Sequence, residues 1–123
     1  MNPALRVDVT DTRGQTTALA VTGELDLATA TRFFRDVRDV LGSHLTVILN
    51  LAGVTFCDSS GLNTLLRLRR RAQDTGCRIV LVAPPAQMTR LLTVTGAAGI
   101  FTIHGSLAEA WETHTASGTP PTA

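Results

Sequence analysis

Two adjacent serines, Ser59 and Ser60, sit between an acidic residue, Asp58, and Gly61. The apolar run Val47-Ile48-Leu49 lies upstream, and Leu62, Leu65 and Leu66 follow at helical spacing. The serines therefore fall where a strand exit becomes a helix start. Such a junction offers unpaired backbone N–H groups and the positive end of a helix dipole. A phosphate on a serine there is expected to meet ready donors. The plainer alternative is that Asp58, Ser59 or Ser60 simply caps the helix.

Other chemistries find less support. A serine-nucleophile hydrolase of the elbow type needs Gly-x-Ser-x-Gly, and Phe56-Cys57-Asp58-Ser59-Ser60-Gly61 lacks the first glycine. His44 precedes the central strand and belongs at the opposite rim, while His104 and His114 come late with no triad or metal-site spacing. No Gly-rich phosphate loop is present. No cofactor, no metal and no catalytic residue is expected. The two cysteines, Cys57 and Cys77, flank a helix of about 15 residues, which spans roughly 22 Å. A disulfide tolerates only about 7 Å between Cα atoms, so both are expected as free, buried thiols.

The chain has 123 residues, enough for one domain with a core. Its formal net charge is +1, and all 11 cations are arginine. That balance and the scarcity of aromatics argue against nucleic acid. Arg67, Arg69, Arg70 and Arg71 cluster on one helix, read as a solvated face, with an acidic partner as the alternative. No apolar run reaches the length of a bilayer span, and no charged leader precedes an apolar core. A cytoplasmic protein with no membrane association is expected.

The elements that position the serines can be read from patterning. Leu5, Val7 and Val9 alternate with polar residues, so a strand is expected, then a turn at Asp11–Gly14. Ala18 to Thr22 reads as its hairpin partner, broken by Gly23-Glu24-Leu25-Asp26. Asp26 is expected to cap a helix whose inner face includes Leu27, Ala30, Phe33, Val37 and Leu41. Thr46 to Leu51 reads as a central buried strand, followed by the serine junction and a helix ending at Thr75-Gly76. Arg78 to Ala83 is a further strand, and Pro85 opens a short helix carrying Met88, Leu91 and Leu92. Ile100 to Ile103 reads as a last strand, Ser106 to Glu109 as a capping box, and residues 115–123 as a frayed, disordered tail. The order predicts an α/β fold, a mixed β-sheet with an N-terminal hairpin and crossover α-helices. If the central strands are parallel, the loops at Asp26 and Ser59 share one rim.

Thr22-Gly23-Glu24-Leu25-Asp26, Val47-Ile48-Leu49-Asn50-Leu51 and Phe56-Cys57-Asp58-Ser59-Ser60-Gly61-Leu62, in that order, resemble the bacterial anti-sigma factor antagonists of the STAS domain family. The resemblance runs from about Leu5 to Trp111 and implies one STAS-like domain over residues 4–114. It further implies a protein that binds an anti-sigma factor serine kinase and so releases a sigma factor. The kinase would phosphorylate Ser59, which ends binding, and a phosphoserine phosphatase would reset it. Asp26, Asp58, Ser59, Ser60, Gly61, Leu62 and Asn63 are the implied partner-binding residues, with Ser60 not the acceptor. The chain departs from the family pattern at Asn63, where glycine often follows the leucine. A monomer that is not an enzyme is implied. The rival readings are an unphosphorylated ligand-sensing or scaffold STAS module and, from another class, the serine hydrolase.

Overall fold

A computed structural model describes residues 4–114. The tail expected at 115–123 lies outside the described residues. Among the described residues five strands form one sheet in chain order: β1 Leu5–Arg13, β2 Thr16–Leu25, β3 Thr46–Cys57, β4 Arg78–Val82 and β5 Thr102–His104. Only the β1–β2 hairpin is antiparallel; β2 to β5 run parallel. Helices α1 Ala30–Leu41, α2 Ser59–Asp74 and α3 Ala86–Val94 connect the parallel strands, and α4 Leu107–His114 follows β5.

Strand alternation divides the core into two layers. On one face Leu19, Val21, Leu49 and Leu81 pack against Phe33 of α1, Leu65 and Leu68 of α2, and Met88 and Leu92 of α3. On the other, Ala18, Ile48, Val80 and Val82 meet Ala110 and Trp111 of α4. Burial on both faces explains why β3 and β4 read as continuous apolar runs in the sequence.

The expected elements are present, but several boundaries move. Gly23-Glu24-Leu25 does not break β2, and β3 does not stop at Leu51. Instead the two strands continue side by side, Gly23 opposite Val54, Glu24 opposite Phe56 and Leu25 opposite Cys57. Register irregularities after Ala20 and after Gly23 absorb the glycines, and Gly23 takes φ +104°. Long-range pairing thus overrides local strand-breaking propensity.

Helix α1 begins at Ala30, not at Asp26, and Leu27 is 79% exposed instead of core. The intervening residues are held as a turn. The Thr29 N–H donates to Asp26 Oδ1 at 3.1 Å, and the Thr29 hydroxyl donates to the Glu24 carbonyl at 2.7 Å. At the C-terminal end the last strand is Thr102–His104, with Ala97–Gly99 forming a short 3₁₀ turn before it. The Ser106 hydroxyl accepts from the Glu109 N–H at 3.2 Å, which is half of the expected capping box. The Glu109 carboxylate turns to His104 instead.

Candidate functional site

Because β2 and β3 are parallel, the loops that follow them leave the sheet at the same rim. Leu25 and Cys57 are the last paired residues, so Asp26 and Asp58 are the first residues of the two loops. The Asp58 N–H donates to the Leu25 carbonyl at 3.1 Å, tying the loops together.

Asp58 caps α2. Its Oδ1 accepts from the N–H of Ser60 at 2.8 Å and of Gly61 at 3.2 Å. Its carbonyl accepts from the Leu62 N–H at 3.0 Å. Two of the helix donors expected for a phosphate, the N–H groups of Ser60 and Gly61, are therefore already occupied by a carboxylate. This corrects one part of the sequence expectation and supports another, since capping and an available serine coexist. Ser59 is the first residue of α2, it is exposed, and its hydroxyl makes no hydrogen bond among the described residues. Ser60 is half-buried, and its carbonyl accepts from the Thr64 hydroxyl at 2.9 Å.

Gly61 and Leu62 are buried, whereas Asn63 is exposed. A Cβ on Gly61 would lie 2.7 Å from Leu25 Cβ and would collide with the Leu25 backbone. The first turn of α2 therefore rests directly on the end of β2, which only glycine permits. Leu62 belongs to the core and anchors the helix from below. Of the implied partner-binding set, Ser59 and Asn63 are exposed, and Asp26, Asp58 and Ser60 are half-buried.

Sequence reasoning missed three residues of this rim. Leu27 is 79% exposed and Phe56 43% exposed, an apolar surface beside the acidic loops. Gln87 reaches the rim from α3: its Nε2 donates to the Cys57 carbonyl at 2.7 Å, and the Cys57 N–H donates to its Oε1 at 2.9 Å. An amide side chain thus replaces a neighbouring strand where β4 has already ended, since β3–β4 pairing stops at Asn50 and Val82. Nothing local marks Gln87; only the length of β3 could have signalled that its end needed a partner.

Burial, and secondarily the Asp58 carboxylate, push the Cys57 thiol up to about 11. It stays protonated at neutral pH and is a poor nucleophile. Both cysteines are free and buried. The imidazoles are engaged elsewhere. His44 Nδ1 lies 3.1 Å from the Val40 carbonyl, at the rim where β3 begins. His104 and His114 meet Nε2 to Nε2 at 3.1 Å, and His104 Nδ1 lies 2.9 Å from Glu109 Oε1. No helix among the described residues is long and apolar enough to cross a membrane.

Solved structures share this architecture. An anti-sigma factor antagonist from Mycobacterium paratuberculosis aligns with TM-score 0.78 at 23% identity, over 89% of this chain and 92% of that one. The anti-sigma factor antagonist SpoIIAA, in its unphosphorylated form, aligns with TM-score 0.73 at 20% identity, over 87% of this chain and 94% of that one. A murine Solute Carrier 26 family anion transporter contains a similar region, with TM-score 0.72 at 21% identity, covering 87% of this chain and 21% of that one. These likenesses establish the fold. The STAS domain family model matches residues 8–110, which span the sheet, α1, α2 and the Asp58-to-Asn63 rim, and the chain belongs to the STAS domain family.

Proposed function

We propose that the chain is an anti-sigma factor antagonist that binds an anti-sigma factor serine kinase at the Asp26–Ser59 rim, releases a sigma factor, and is switched off by phosphorylation of Ser59. The observation that carries this reading is the Ser59 hydroxyl, exposed and without a hydrogen bond among the described residues, on a helix turn fixed by Asp58 and Gly61. Exposed Leu27, Phe56 and Asn63 give the partner apolar and polar surface around it. The likeness to the two antagonists supports the same reading.

The chemistry of the off state follows from the cap. Phosphorylation adds about −1.5 to −2 charge at pH 7. Asp58 holds the Ser60 and Gly61 N–H groups, so a phosphoryl group on Ser59 sits at the surface beside a carboxylate, without those two donors. The fold tolerates that state. A closely packed partner would have to desolvate it, at roughly 3–5 kcal/mol for an unpaired buried charge. The protein acts by binding as a cytoplasmic monomer, and a phosphoserine phosphatase restores it.

The test is to incubate the full chain with ATP and candidate anti-sigma kinases and to locate the phosphate by mass spectrometry. Phosphate on Ser59, and loss of kinase binding with it, is the expected result. Phosphate on Ser60, or unchanged binding after modification of Ser59, would overturn the assignment.

A further inference from the structure

The net charge of +1 conceals a separation of charge. Helices α1 and α2 together hold seven arginines and three aspartates, a formal balance of +4. The remainder of the chain holds four arginines and seven carboxylates, a balance of −3. The two helices pack side by side on one face of the sheet, and Arg67 of α2 stacks on Phe34 of α1 at their seam. Arg69 alone of the α2 arginines turns the other way, its Nε–H donating to the Ile100 carbonyl at 3.1 Å.

Two of those arginines are neutralised locally, Arg32 by Asp36 and Arg38 by Asp39. Arg67, Arg70 and Arg71 form no salt bridge among the described residues. The Arg67 guanidinium lies 4.4 Å from the centre of the Phe34 ring, with Arg38 at 6.0 Å from the same ring. Phe34, Arg67, Arg70, Arg71 and Asp74 line a shallow cleft of 190 Å³. Stacking on Phe34 holds Arg67 in place, which lowers the entropy lost when a carboxylate binds it. Along α2, spacings of four, four and three residues put Ser59, Asn63, Arg67 and Arg70 on one face. The cationic patch is therefore the continuation of the rim that carries Ser59.

We propose that this α1–α2 face is a docking surface for an acidic patch on a folded protein partner, the same partner that meets Ser59. The inference rests on the reading of Ser59 as a partner contact and adds the chemistry of that partner. A nucleic acid fits less well. Its backbone is uniformly anionic, and at the upper end of the stripe it would meet Glu24, Asp26 and Asp58, while Phe34 is already covered by Arg67. A protein can confine its carboxylates to the arginine end. Steering by such complementary charge acts mainly on association rate and is weakened by salt.

Two measurements on the full chain test this. In the first, arginine Nε–Hε signals are followed by NMR while a glutamate decapeptide is added, with an oligothymidylate of matched charge in a parallel titration. The peptide should shift Arg67, Arg70 and Arg71 but not Arg6, and the response should vanish in the Arg67→Glu, Arg70→Glu double variant. Shifts spread evenly over all arginines, or tighter binding of the oligothymidylate, would overturn the proposal. In the second, kcat/KM for Ser59 phosphorylation is measured with a kinase that modifies the wild type. The double variant should lose roughly tenfold or more at low salt, and Arg90→Glu should lose nothing. Unchanged phosphorylation of the double variant would refute the docking surface and leave the Ser59 assignment standing. If no anti-sigma kinase modifies Ser59, that assignment fails, and the peptide titration decides the surface alone.

Discussion

The Gln87 side chain holds both polar groups of the Cys57 backbone, one residue before the cap that sets α2. A residue of α3 thereby fixes the rim on which Ser59 stands. Gln87→Ala would leave a part-buried N–H and a part-buried C=O without partners, at about 1–3 kcal/mol. Gln87→Glu would keep the acceptor and lose the donor. We expect lower melting temperatures for both and faster amide exchange at Cys57 and Asp58. Unchanged exchange in Gln87→Ala would show that the clamp does not hold the rim.

Asp58 is the helix cap, so Asp58→Ala should destabilise the protein by about 0.5–2 kcal/mol, and Asp58→Asn by much less. Urea titration of the three proteins measures this. Equal midpoints for alanine and wild type would mean that the capping bonds contribute nothing net.

Ser59→Glu should fold normally and fail to bind the kinase partner. An exposed substitution at a first helical position usually changes stability by within about 0.5 kcal/mol. A buried, unpaired charge at the interface would cost far more; a loss of about 4 kcal/mol weakens binding roughly a thousandfold. Ser59→Ala should bind and lose the off switch. Melting curves beside partner titrations read both. A Ser59→Glu protein that binds like wild type, while the phosphoprotein does not, would show that one added charge is too small an explanation.

Acid should weaken the docking of α4. Burial, then the neighbouring His104 and Arg78, hold the His114 imidazole below its ordinary 6.5. Its folded state favours the neutral ring, so its contribution is present above that value and lost as pH falls. The hydrogen bond from His104 holds Glu109 below its ordinary 4.5, and that contribution too is present above 4.5 and lost on further acidification. The His114 ring meets the His104 ring in a T-shaped contact, with their Nε2 atoms 3.1 Å apart, at the end of α4. Melting temperature should fall from pH 7 toward pH 4, with a shallower slope in His114→Gln. Parallel slopes would place the acid sensitivity elsewhere.

The fold was legible where patterning is local. Alternation at Leu5, Val7 and Val9, the apolar run at Val47 to Leu51, and the spacing of Leu62 and Leu65 each gave the right element. Gly23 misled, because it reads as a break while β2 and β3 pair through it, and the apolar run ending at Leu51 stops short of the strand, which continues to Cys57. Leu27 misled because its spacing fits a helix face, yet the bonds between Asp26 and Thr29 delay α1. At the rim, motif order located Asp58, Ser59 and Gly61. It could not reveal that Asp58 takes the helix donors, nor that Gln87, 30 residues after Cys57, completes the strand end. Such facts depend on which strand outlasts its neighbour.

That mismatch in strand length has a consequence for self-association. Beyond Asn50, β3 runs for seven more residues, about 23 Å, without β4 beside it. An open strand edge of this kind is a template for intermolecular pairing and fibril growth. Here side-chain amides occupy both ends of it. Asn50 Oδ1 accepts the Ala52 N–H at 3.1 Å, and Gln87 takes the N–H and carbonyl of Cys57. Between them Gly53 and the irregular register deny an incoming strand a flat, continuous ladder. The part of β3 that carries the serine rim beyond its neighbour is therefore closed to edge-to-edge pairing at both ends.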